Sequence, residues 1–184
     1  HTQSSAASDV YKRQISYRRK NEIYLKRVSE SILESKFGGV WRIIIYKNII
    51  DQSEHIALVK GVINPNEIIL VRVHALDLLS DVLGKQSIER NGSELSSAME
   101  TIANKGKGII ILIRDLSPES LSKRISKSLK SVQKQPTNIR EYGVGAQILS
   151  DLGVKNMTVL SNNKANAIGL EGFDLTIKNW EKLG

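Results

Sequence analysis

The side chains able to do chemistry in this chain are nitrogen and oxygen donors. None of its 184 residues is a cysteine, so thiolate nucleophiles, disulfides and cysteine-ligated zinc are excluded before any fold is considered. Arg72 and His74 close the branched run Val71-Arg72-Val73-His74. At the end of a strand such a pair can take an anionic ligand, or it can pair with backbone and carboxylates. His55 stands in another branched run, where a partly buried, hydrogen-bonded ring is the ordinary role. Arg140 precedes Glu141 at the start of a helical stretch, a setting for a ligand contact and equally for an N-terminal ion pair. Lys123, Arg124, Lys127 and Lys130 surround the polar side of another helical pattern and read as a solvated face rather than a phosphate-binding stripe.

These residues have to be positioned by elements that the periodicity outlines. Ile15 to Ser35 reads as a charged helix, with Ile23, Val28 and Leu33 on a partial apolar face, broken by Phe37-Gly38-Gly39. Three branched stretches follow, Val40 to Tyr46, His55 to Ile63 and Glu67 to Val73, separated by Asp51-Gln52-Ser53 and Asn64-Pro65-Asn66. They read as an antiparallel meander. Leu95, Ala98, Met99 and Ile102 recur at helical spacing, and Gly106 ends that helix. The aliphatic run Gly108 to Ile113 reads as a strand buried on both faces, typically parallel and covered by helices. Helices are expected over Leu121 to Val132 and Tyr142 to Leu152. Short strands are expected at Met157 to Leu160 and Leu175 to Ile177, with a helical turn at Gly169 to Gly172. The expected class is α/β, with antiparallel N-terminal strands followed by alternating helices and buried strands.

Length and composition suit one compact domain. The net charge of +8 and pI near 9.7 suit a polyanionic partner, but aromatics make up only 5% of the chain and do not interleave with the basic residues. A nucleic-acid-binding module built on Arg18 to Arg27 and Lys123 to Lys130 is therefore the outlying reading. His1 to Gln14 share neither the periodicity nor the apolar content of the rest and read as a non-native leader. No run approaches membrane-spanning length, so the expectation is a cytoplasmic, soluble protein without a membrane partner.

Four stretches together carry a family resemblance: Val71 to His74, Arg140 to Leu149, Asp151-Leu152-Gly153-Val154, and Leu160-Ser161-Asn162-Asn163 followed by Gly169-Leu170-Glu171-Gly172. They resemble GTP cyclohydrolase II from about Phe37 to Ile177. Ile15-Ser16-Tyr17-Arg18-Arg19 is similar to the junction of bifunctional riboflavin proteins. The resemblance implies a linker over 15–36, a GTP cyclohydrolase II-like domain over 37–184, and an upstream 3,4-dihydroxy-2-butanone 4-phosphate synthase domain as partner. A homodimer and GTP binding are further implications.

The family's chemistry opens the imidazole ring of GTP with loss of formate and pyrophosphate, using a zinc-bound water held by three cysteines. The matching positions fall near Asp77, Ile88 and Arg90, and neither isoleucine nor arginine can ligate the metal. A centre improvised from His74, Asp77, Asp81 or Glu89 is the remote alternative, and no zinc cofactor is expected. The family's glutamate-glycine-arginine phosphate loop is replaced by Asp115-Leu116-Ser117-Pro118-Glu119 after Arg114. Its proton acceptor and nucleophile match Asn138 and Arg140, and an asparagine amide has no basicity near neutral pH. Asn166 replaces a lysine. Arg72, His74 and Ser161 remain at nucleotide-binding positions. The expectation is a domain retained for its fold without the cyclohydrolase reaction. An active cyclohydrolase is the alternative.

Overall fold

The computed structural model describes residues 24–84, 94–114, 122, 125–126, 139–162 and 173–183, the side chains of 139–142 excepted. Seven strands form one sheet in the order β1-β2-β3-β5-β4-β6-β7. The strands are β1 (Leu25–Ser35), β2 (Gly39–Asn48), β3 (Glu54–Lys60), β4 (Ile68–Ala75), β5 (Gly108–Ile113), β6 (Asn156–Leu160) and β7 (Thr176–Glu181). Helix α1 (Glu94–Lys105) joins β4 to β5, and α2 (Ile139–Asp151) precedes β6. A π-helical turn, Leu78–Val82, follows β4. Among the described residues no helix is long and apolar enough to cross a membrane.

Strand β5 organises the packing. All six of its residues are buried, with Ile109, Ile111 and Ile113 in one apolar cluster and Ile110 and Leu112 in the other. The first cluster is closed by Ala146, Ile148 and Leu149 of α2, the second by Ala98, Met99 and Ile102 of α1. Each buried isoleucine contributes roughly 2 kcal/mol of apolar transfer energy, and only two covered faces let one strand collect it at every position.

Two sequence expectations are corrected. The helix expected over 15–36 is, from Leu25 to Ser35, an edge strand that pairs along its whole length with β2, from Leu25↔Asn48 to Ser35↔Gly39. The part before residue 24 and the leader lie outside the described residues. A register shift between Arg27 and Ser29 breaks the two-residue alternation, which removes the strand's signature from the sequence. The supposed meander is interrupted as well. β3 is antiparallel to β2, but its other neighbour is β5, and β4 lies beyond β5 and parallel to it. Asn64-Pro65-Asn66 is thus part of a connection that carries the chain past a vacant strand position, which the fully apolar β5 takes. The other expected strands and the helices at Leu95 and Tyr142 are present within a few residues at each end. The expected helix at Leu121 lies largely, and the turn at Gly169 wholly, outside the described residues.

Local chemistry pins the outer strands. Lys60 Nζ donates to Gly38 O (2.5 Å) and Val40 O (2.7 Å) and lies 5.2 Å above the Trp41 ring. Arg27 Nε and Tyr46 Oη both donate to Asp151 Oδ2 at 2.6 Å, and Tyr24 N donates to Gln147 Oε1 at 3.2 Å, so the start of β1 is fastened to the last turns of α2. Gly38 has φ +79°, and a Cβ there would lie 2.4 Å from Ala103 Cβ on α1. Gly38→Ala should therefore lose about 2 kcal/mol of unfolding free energy through backbone strain and overlap. The expected readout is a lower urea midpoint with unchanged slope; an unchanged midpoint would show that α1 gives way.

Candidate functional site at the carboxyl end of β4

In an alternating strand, residues two apart share a face. Leu70, Arg72 and His74 therefore follow one another on the α1 side of β4, with Leu70 in the apolar cluster and the two polar residues beyond it. Arg72 and His74 are only 6% and 7% exposed, so their charges and protons have to be answered within the protein. Arg72 Nη1 donates to Leu160 O at 3.0 Å, tying the ends of β4 and β6 together. Its Nη2 forms an ion pair with Glu94, the first residue of α1.

His74 Nδ1 lies 3.5 Å from the same guanidinium nitrogen, and Nε2 lies 2.8 Å from Asp81 Oδ2. A guanidinium only donates, so Nδ1 faces it as the acceptor and the ring proton sits on Nε2, directed at Asp81. Asp81 Oδ2 also accepts from Asp77 N at 2.9 Å. Asp77 is occupied as a cap, its carboxylate accepting from Leu79 N at 3.1 Å and Ser80 Oγ at 3.2 Å. The result is a closed relay from Leu160 through Arg72 and His74 to the π-helical turn.

This donor set does not suit zinc. One ring nitrogen of His74 carries its proton toward Asp81, the other faces a cation, and Asp77 is committed to backbone and hydroxyl donors. Among the described residues no three His, Cys, Asp or Glu side chains converge on a common point. Ile88 and Arg90 lie outside the described residues.

Of the sequence-predicted residues, the structure brings Arg72 and His74 together and sets Ser161 beside them. Ser161 follows directly on the Leu160 carbonyl that Arg72 grips, and its own N–H donates to Glu181 O at 2.8 Å. Arg140 lies in the first turn of α2, with its side chain outside the described residues, as is Asn138. The basic residues at 123, 124, 127 and 130 are outside them too, and Arg27 is held by Asp151. Sequence reading missed Glu94. An acidic residue at the start of a helix looks like an ordinary complement to the helix dipole, and only the fold shows that it meets Arg72.

His55 belongs to a different constellation. It shares the α2 face of β3 with Ala57 and Val59, opposite the face that carries Arg72. Its Nδ1 accepts from Arg114 N at 3.3 Å, so Nε2–H points to Ser53 Oγ at 3.0 Å, and that hydroxyl donates to Asp51 Oδ1 at 2.5 Å. In the order Asp-Ser-His the serine keeps its proton and directs it at the Asp51 carboxylate rather than at the imidazole, so the chain braces a turn and does not activate a nucleophile. Burial would raise the Asp51 carboxyl, but hydrogen bonds from Ser53 outweigh it and leave the group below its ordinary value.

The family described as GTP cyclohydrolase II matches residues 26–182. The riboflavin biosynthesis protein RibBA of Bacillus cereus is 37% identical over 175 residues, covering 89% of this chain and 44% of the relative. RibBA of Nocardia farcinica is 35% identical over 178 residues, covering 89% and 42%. Among solved structures, RibBX, a two-domain 3,4-dihydroxy-2-butanone 4-phosphate synthase from A. baumannii, superposes with a TM-score of 0.57 at 26% identity over 91% of this chain and 43% of its own. The chain thus spans less than half the length of these relatives.

Burial, with help from Arg114 and against Asp51, holds the His55 ring below its ordinary value of 6.5. The unfolded chain then takes up this proton at a higher pH than the folded one. The His55 contribution to stability is complete above about pH 6.5 and declines as the pH falls toward the folded value. Urea unfolding of the parent chain and His55→Asn across that range should show a steeper acid-side loss in the parent; parallel profiles would refute it.

Proposed function

Since this chain belongs to the GTP cyclohydrolase II family, we propose that it serves riboflavin biosynthesis as a domain without cyclohydrolase activity, supporting a 3,4-dihydroxy-2-butanone 4-phosphate synthase domain that precedes it. The observation that carries this reading is the donor chemistry. The chain contains no cysteine, while the reaction implied by the family resemblance needs a water held on zinc by three of them. The described residues at the corresponding end of the sheet are spent on one another: Arg72 on Glu94 and Leu160, His74 on Asp81. Asn138 offers an amide in place of a base.

The apolar packing, by contrast, is intact. Two complete clusters on either side of β5 maintain the fold, and a stable folded surface is sufficient for a supporting role. RibBX, described as a two-domain synthase, offers a precedent for pairing such a fold with that activity. The fastening of Tyr24 and Arg27 to α2 fixes the start of β1 against the body of this domain.

Formate release from GTP, with zinc and magnesium supplied and a cysteine-complete family member as control, should be absent. Clear turnover by this chain would overturn the reading. In the full two-domain protein, deleting residues 24–184 should lower synthase activity or its thermal midpoint, and a deletion that changed neither would show that the domain supports nothing.

A further inference from the structure

The carboxyl end of β4 lies where an open α/β sheet ordinarily receives a ligand. From β4 the chain crosses one face through α1 to β5 on one side. After β5 it continues through α2, on the opposite face, to β6 on the other side. Strands whose connections leave to opposite faces open a crevice at their carboxyl ends. Near that end of β4 stands the Arg72 guanidinium, whose planar donors suit phosphate or carboxylate oxygens.

We propose that Glu94 is a built-in counter-anion: it occupies the Nη2 donor of Arg72 and so excludes phosphate-bearing molecules from the carboxyl end of β4. The inference rests on the reading of this domain as catalytically silent. Three observations carry it. First, the side chain of Arg72 is 8% exposed and that of Glu94 27%, so the carboxylate stands on the solvent side of the guanidinium it binds. Second, Glu94 opens α1, where the helix N-terminus favours the carboxylate's charge and its backbone is held in place by Ala98, Met99 and Ile102 beneath.

The third is the local balance of charge. Asp81, with a side chain only 3% exposed, faces His74 beside the same guanidinium. Among the described residues two carboxylates thus serve this cluster, Glu94 on Arg72 and Asp81 on His74. A phosphate seeking Nη2 would have to displace Glu94 or lie against it, and like charges at contact distance in a poorly solvated crevice repel strongly. The guanidinium's other end is already given to the Leu160 carbonyl, so turning Arg72 toward solvent would sacrifice a buried hydrogen bond.

The test is calorimetric titration of the purified chain with GTP and, separately, inorganic tripolyphosphate. The parent chain should show no saturable binding at millimolar concentration. Glu94→Gln keeps the side chain's shape and an acceptor for Arg72 while removing the charge, and should bind tripolyphosphate at least about tenfold more tightly. Combining it with Arg72→Met should abolish the gain. Thermal melts establish that each variant folds, and Glu94→Ala stands in should Glu94→Gln not melt cooperatively.

Binding by the parent as tight as by the variant would overturn the proposal, as would a folded variant without gain. If neither Glu94 variant folds, the ion pair is structural and the proposal is likewise overturned. Formate release is followed in parallel. Turnover by the parent would remove the silent-domain reading itself, whereas a folded Glu94→Gln with neither binding nor turnover would remove only the role assigned to Glu94.

Discussion

A strand with no exposed residue has to be paired along both edges and covered on both faces, and β5 imposes that demand on everything around it. Its edges are taken by β3, antiparallel, and β4, parallel. Its faces are taken by α2 and α1. Once two helices have to lie on opposite faces of a short parallel sheet, the chain has to reverse its direction of winding somewhere, and it does so around β4. The location of the polar cluster follows from an apolar requirement one strand away.

At that location electrostatics sets the character of the cluster. Arg72 and His74 come from the strand, Glu94 from the helix that covers it, and Asp81 from the π-helical turn after it. Each brings a group that would be costly to bury alone, and the contacts among them answer both terminal nitrogens of Arg72 and the Nε2 of His74. The contacts described at this end of the sheet are made within the protein, Arg72 to Glu94 and Leu160 and His74 to Asp81.

The parts legible in the sequence were those fixed by apolar spacing. Leu95, Ala98, Met99 and Ile102 mark α1 because one helix face is buried, and Ile109 to Ile113 mark β5 because both strand faces are. β1 was illegible because most of it is exposed and its alternation is broken at the register shift, so its charged residues imitate a helix surface. The strand order was hidden for another reason. Turn residues after β3 announce that the chain changes direction, but not that a strand made much later will lie between β3 and β4. Arg72 and His74 could be picked out as a pair, whereas Glu94 could not, since its significance depends on a contact across the interior rather than on any neighbour in sequence.

The same strand order governs how the chain can assemble as it is synthesised. β1, β2 and β3 join neighbours in sequence and can come together as soon as Lys60 is made. The second edge of β3 then has no native partner until translation passes Ile113, because Ile56 pairs with Leu112. β4 emerges in between, with its place in the sheet fixed by a strand that does not yet exist. For that interval the nascent chain carries an open edge bearing Ile56, Leu58 and their neighbours, the condition under which unfinished sheets recruit foreign strands. Closing β5 into the gap ends this exposure, and the later arrival of α2 and β6 completes the core.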